Sequence, residues 1–166
     1  MADIRRFDHV ALAVRDVEPA LGLYCDALGA RFVLGGDNHQ TGNRIVHLAL
    51  GGFKVELMQP LRADSLLARF IDRRGEGFHH VTMVVDELAR TVGCLDAAGL
   101  GLVGTDLTNP VWREAFVPPR AAGGALVQLV ETDRDWSRTV DGIALDDVLA
   151  GRVEFRDAWP CWSDKD

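Results

Sequence analysis

Two histidines occupy matching places in a chain that repeats itself. The run Phe7-Asp8-His9-Val10-Ala11-Leu12-Ala13-Val14 resembles Phe78-His79-His80-Val81-Thr82-Met83-Val84-Val85 at an offset of 71 residues, and each run sets a histidine third in an apolar strand. The repeat resumes at an offset of 72, where Gly51-Gly52-Phe53-Lys54-Val55-Glu56-Leu57-Met58-Gln59 parallels Gly123-Gly124-Ala125-Leu126-Val127-Gln128-Leu129-Val130-Glu131. Glu56 is thereby matched with Gln128. Glu56 lies between Val55 and Leu57 in a strand that reads as buried, and an ionised carboxylate is costly to bury unless it meets a cation or metal. If the two halves pair about a pseudo-twofold axis, His9, Glu56, His80 and Gln128 converge. Two imidazoles, a carboxylate and an amide oxygen suit a divalent first-row metal with open positions. Each residue also has an ordinary reading: a hydrogen-bonded strand histidine, an exposed edge carboxylate or an internally bonded amide.

The elements that must position this set can be read from the same repeat. Each histidine strand leads through an acidic turn, at Asp16 or Glu87, into an amphipathic stretch. Those stretches, residues 17–28 and 88–98, are closed by Gly29 and Gly99, which suit a helix C-terminus. A Gly-Gly turn then introduces the last strand of each half. Each module reads as strand, helix, then two or three strands, over residues 4–60 and 77–132. A linker at 61–76 contains a short helix over 64–74. Residues 1–132 are expected to form one domain and 133–166 a C-terminal extension, with a short helix within 141–151 and an apolar latch at 159–162. The extension holds nine acidic and five basic side chains, and three of the four tryptophans: Trp136, Trp159 and Trp162.

Composition narrows the classes. The 166 residues are 48% hydrophobic and 26% charged, ordinary for a globular chain and against wholesale disorder. A net charge of −7 makes a poor nucleic-acid binder, since that affinity comes largely from phosphate neutralisation. No apolar run approaches the roughly 20 residues of a membrane span, and the first residues lack the apolar stretch of a signal peptide, so a cytoplasmic protein is expected. Cys25, Cys94 and Cys161 are too sparse for a disulfide framework and read as reduced thiols.

The two-module plan, with DHVALAV at 8–14 and HHVTMVVD at 79–86, resembles the vicinal oxygen chelate (glyoxalase-like) superfamily. Within it, VELMQPLRADSLLARFIDRRGEGFHH at 55–80 is similar to methylmalonyl-CoA epimerase and its relatives. The resemblance implies an α+β fold in which paired βαβββ modules form a cupped, half-open barrel. It implies a divalent metal cofactor such as Co, Mn, Ni, Zn or Fe, with the family's ligands falling on His9, Glu56 and His80. The last-strand Glu of the family, a ligand and base, falls on Gln128. Glutamine transfers no proton at neutral pH, which leaves Glu56 and His47 as catalytic candidates. His47 falls near a place where some epimerases carry another catalytic carboxylate. Glu131, three residues beyond Gln128, should face the opposite side of a regular strand.

The expected function is a metal-dependent isomerase or epimerase. It would act through a metal-stabilised enolate on a small carbonyl or acyl-CoA substrate, with Lys54, Arg44, Arg113 and Arg120 as candidate cations for CoA phosphates. A homodimer is the expected assembly, with no nucleic-acid or membrane partner. Two other classes stay open. One is a non-haem iron dioxygenase using His9, His80 and Glu56. The other is a non-catalytic small-molecule-binding protein on the same fold.

Overall fold

The computed structural model describes residues 3–164. The two repeated halves take the same element order. The first runs β1 (Ile4–Ala13), α1 (Val17–Leu21), β2 (Arg31–Asn38), β3 (Asn43–Leu50) and β4 (Phe53–Pro60). The second runs β5 (Gly77–Val85), α3 (Leu88–Ala97), β6 (Val103–Asp106), β7 (Arg113–Val117) and β8 (Leu126–Glu131). The reading of two or three strands after each helix resolves to three in both. Between the halves lies α2 (Leu66–Arg74), and after them α4 (Leu145–Leu149), β9 (Val153–Arg156) and β10 (Trp159–Trp162). The architecture is α+β.

Packing divides the chain inside its first strand. One unit combines the chain up to Val10 with His79–Arg134, and the other combines Ala11–Phe78 with the segment from Asp135.

In the histidine-bearing unit the strand order is β1-β5-β8-β7-β6. β5 and β8 run parallel, with Thr82 opposite Gln128, and β8 pairs antiparallel with β7, Phe116 opposite Gln128. Helix α3 closes over this sheet with Leu88, which packs with Val85, Ala115, Val117 and Leu129. Its first turn is anchored from β8, where the Glu131 carboxylate accepts the Leu88 N–H at 2.7 Å. A helix N-terminus leaves such donors unsatisfied and favours negative charge.

In the other unit the order is β10-β9-β2-β3-β4-β1. Asp16 caps α1 by accepting from Glu18 N at 3.1 Å, and the helix widens into a π-type stretch, Gly22–Ala27, before Gly29 turns the chain at φ +73°. Ser65 caps α2 in the same way through Ala68 N. The core joins Val17, Val46, Leu48 and Leu57 to Val148 and Val153, so the C-terminal extension supplies part of it. β2 runs straight through Gly35-Gly36, a stretch whose glycines read as loop. A Cβ on Gly35 would meet the Ile45 carbonyl at 2.6 Å and the Val148 side chain at 3.2 Å, and one on Gly36 would meet the backbone of β9 at 3.3 Å. The glycines are bare because β3, α4 and β9 close on them.

Candidate metal centre

Strand alternation sets the histidine side of the site. Along β1 every second residue from His9 is sealed: His9 is 1% exposed, and Ala11 and Ala13 are fully buried. The same alternation in β5 buries His80, Thr82 and Val84. The two imidazoles stand edge to face with ring centroids 5.7 Å apart. Each has its Nδ1 engaged by the residue just before it in sequence. Asp8 Oδ2 lies 2.8 Å from His9 Nδ1, and His79 Nδ1 lies 2.8 Å from His80 Nδ1. Asp8 is itself gripped by Arg6 at 3.0 Å. Engagement of one ring nitrogen by a hydrogen-bond partner is how metal-ligating histidines are oriented, with the other nitrogen turned the opposite way. His79, which strand alternation places on the face opposite His80, is half-buried and sets its ring against that of His80, centroids 5.1 Å apart.

Gln128 joins this cluster. The Thr82 hydroxyl lies 2.9 Å from His9 Nε2 and donates to Gln128 Oε1 at 2.6 Å. Behind Gln128 stands a carboxylate with no counterpart in the repeat: Gln128 Nε2 donates to Glu114 Oε2 at 2.8 Å, and the Trp112 indole donates to the same oxygen at 3.0 Å. Thr82 follows from its place two residues after His80. Glu114 gives only a faint signal, a carboxylate sharing a face with Phe116 in the short strand REAFV. Glu131 lies off the site, bound to Arg113 at 2.7 Å and to the start of α3.

Glu56 and His47 meet in the other unit. They sit directly opposite each other in the β3–β4 register, and His47 Nε2 is 3.0 Å from Glu56 Oε2. β4 is buried on both faces, so Glu56 is 5% exposed and is no edge-strand carboxylate; His47 is fully buried. Trp136, from the extension, stands T-shaped to the His47 ring with centroids 5.1 Å apart and stacks on Phe155. The buried Lys54 Nζ donates to the Trp136 carbonyl at 3.0 Å.

The cations singled out for CoA are largely committed elsewhere. Besides Lys54, Arg44 holds Asp37 at 2.7 and 3.0 Å and caps the Leu149 carbonyl, and Arg113 holds Glu131. Arg120 is exposed, 3.3 Å from the Gly101 carbonyl. The three cysteines are free thiols. Burial raises the pKa of Cys25, helped by Asp26, and burial also raises that of Cys161, so neither is an activated nucleophile.

Comparison with known proteins bears on the family and the fold. A family model described as the glyoxalase/bleomycin resistance protein/dioxygenase superfamily matches residues 8–116. The chain is 35% identical to mitochondrial methylmalonyl-CoA epimerase of Mus musculus, over 75% of this chain and 71% of the mouse protein. It is 31% identical to the ethylmalonyl-CoA/methylmalonyl-CoA epimerase of Cereibacter sphaeroides, over 76% of this chain and 97% of that one. The crystal structure of methylmalonyl-CoA epimerase from Mycobacterium tuberculosis superposes with a TM-score of 0.70 at 33% identity, covering 81% of this chain and 92% of that one. With its doubled βαβββ order and its matched histidine strands, the chain belongs to the glyoxalase/bleomycin resistance protein/dioxygenase superfamily, in the branch of the methylmalonyl-CoA epimerases.

Proposed function

We propose that this protein is a metal-dependent epimerase or isomerase of a small acyl-CoA, with His9, His80 and Glu56 as metal ligands and the Gln128 carbonyl oxygen as a fourth donor. The observation that carries the reading is the pair of buried imidazoles, each with its Nδ1 engaged by the preceding residue. That donor chemistry fits a divalent first-row ion. A buried carboxylate from β4 adds the negative charge such a site needs. The acyl-CoA class comes from the relatives, whose names are those of methylmalonyl-CoA and ethylmalonyl-CoA epimerases.

A bound divalent ion would polarise the acyl carbonyl and acidify the adjacent C–H. The rest of the chemistry belongs to side chains. Epimerisation takes that proton on one face and returns one on the other; here a carboxylate takes it and solvent water supplies the one returned. Glu56, backed by His47 Nε2 at 3.0 Å, is the carboxylate that takes it, and the sealed His47 acts through Glu56 without meeting substrate. Gln128 holds no exchangeable charge and serves as a neutral donor.

The test is incorporation of solvent deuterium at the α-carbon of methylmalonyl-CoA by cobalt-loaded protein. Wild type is expected to exchange. His9→Ala and His80→Ala should weaken cobalt binding by more than the roughly 10–100-fold that loss of a supporting hydrogen bond costs, and should abolish exchange. Unchanged cobalt affinity in both variants overturns the ligand assignment. Tight acyl-CoA binding without exchange turns the protein into a binding module, and oxygen uptake by the iron form into an oxygenase.

A further inference from the structure

Gln128, the third residue of β8, raises a question of orientation. A glutamine has an oxygen that can meet a metal and an NH2 that cannot, and the two ends have nearly the same shape. An unconstrained Gln128 would present either one. Its neighbours across the sheet remove that freedom.

Three strands align a row of polar groups on one face. Thr82 is directly opposite Gln128 across the β5–β8 pair. Glu114 is opposite Val130 on β7, which makes it the diagonal same-face neighbour of Gln128, within reach of long side chains. The contacts run in one direction only. An ionised carboxylate accepts and cannot donate, so the group Gln128 turns to Glu114 must be its NH2, and Nε2 donates to Glu114 Oε2 at 2.8 Å. The Trp112 indole, which is donor only, fixes the same carboxylate oxygen from the other side at 3.0 Å. The Gln128 oxygen is then forced toward β5, where Thr82 donates to it at 2.6 Å and where the same hydroxyl lies 2.9 Å from His9 Nε2. Gln128 is 8% exposed, so water does not scramble the arrangement.

We infer that Glu114 is a positioning residue that locks the Gln128 amide with its NH2 outward and its carbonyl oxygen toward Thr82 and His9. The Glu114 carboxylate acts through the amide it orients. The inference rests on the metal reading only for what that oxygen goes on to bind; the locking itself is a property of the metal-free protein.

The two layers are tested separately. In metal-free, 15N-labelled protein, the two side-chain NH2 protons of Gln128, assigned by their loss in Gln128→Leu, should give separate resonances slow to exchange with solvent. In Glu114→Leu they should merge with the fast-exchanging surface amides. In titrations against a competing chelator, Glu114→Leu should bind Co2+ about 10-fold or more weakly and shift the visible spectrum of the bound ion. The exchange of types, Glu114→Gln with Gln128→Glu, keeps one donor facing one acceptor. It should recover metal-free stability in urea unfolding relative to Gln128→Glu alone, where two carboxylates face each other. This recovery stands even if Glu114→Leu fails to fold. Wild-type NH2 signals and cobalt affinity in a folded Glu114→Leu protein overturn the inference, as does a double variant no better than Gln128→Glu. If wild type binds no cobalt, the metal reading falls, and the Gln128 resonances still decide whether Glu114 does the locking.

Discussion

At Glu56 a buried carboxylate and a buried imidazole face each other across two strands, and neither is comfortable alone. Desolvation makes each charge costly, and the pairing offsets that cost. His47→Ala should therefore destabilise the protein by about 3–5 kcal/mol, the usual cost of stripping one partner from a buried pair, as read by urea unfolding. His47→Gln keeps a donor facing Glu56 and should recover much of that stability while still losing deuterium exchange. Full exchange activity in His47→Gln would remove His47 from the proton path. Of these residues, the histidines were the most legible, because duplication marked them twice. Glu114 was not, because it arises in one half only and its meaning comes from a diagonal neighbour that no spacing along the chain encodes. The committed state of Arg44, Lys54 and Arg113 was equally hidden, since each finds its partner through strand register or through the extension.

Among the elements, the extension carries more than its sequence suggested. The short helix expected within 141–151 forms at Leu145–Leu149, and the latch at 159–162 is a strand, β10, paired with β9. Trp136 seals the ring of His47 and stacks on Phe155, while its carbonyl receives Lys54. Trp136→Ala keeps that carbonyl and removes only the indole. It should cost about 3–5 kcal/mol in urea unfolding and speed amide exchange in β3 and β4. A loss below about 1 kcal/mol would mean the indole is dispensable to the core. Helix and strand identities were legible from apolar period and glycine caps. What escaped was β2, since Gly35-Gly36 has loop composition, and only the closeness of β3, α4 and β9 explains why glycine stands in a strand there.

For the whole molecule, a net charge of −7 is unevenly spread. Helix α2 is its basic counterpoint: exposed Arg69, Arg73 and Arg74 surround a hollow with Leu66 and Phe70, and the Arg74 guanidinium lies 5.9 Å over the Phe70 ring. If this chain takes an acyl-CoA, as its relatives' names suggest, Arg69, Arg73 and Arg74 are exposed cations available to the phosphates. Arg69→Glu with Arg73→Glu should raise KM for the acyl-CoA several-fold, leave turnover of a thioester lacking the nucleotide unchanged, and flatten the salt dependence of KM. An unchanged KM would send the phosphates elsewhere.

The glycine pair in β2 has a consequence for solubility. Without a Cβ at Gly36 another strand can lie close beside β2, and β9 pairs there in parallel at Asp37 and Glu154. An uncovered strand rim is a template for pairing with another chain. By laying its own short hairpin along that rim, the protein replaces β2 as the outermost strand with β10, four residues long and interrupted by Pro160, which has no N–H to offer. The extension thus gives the sheet an outer margin poorly suited to recruiting a stranger.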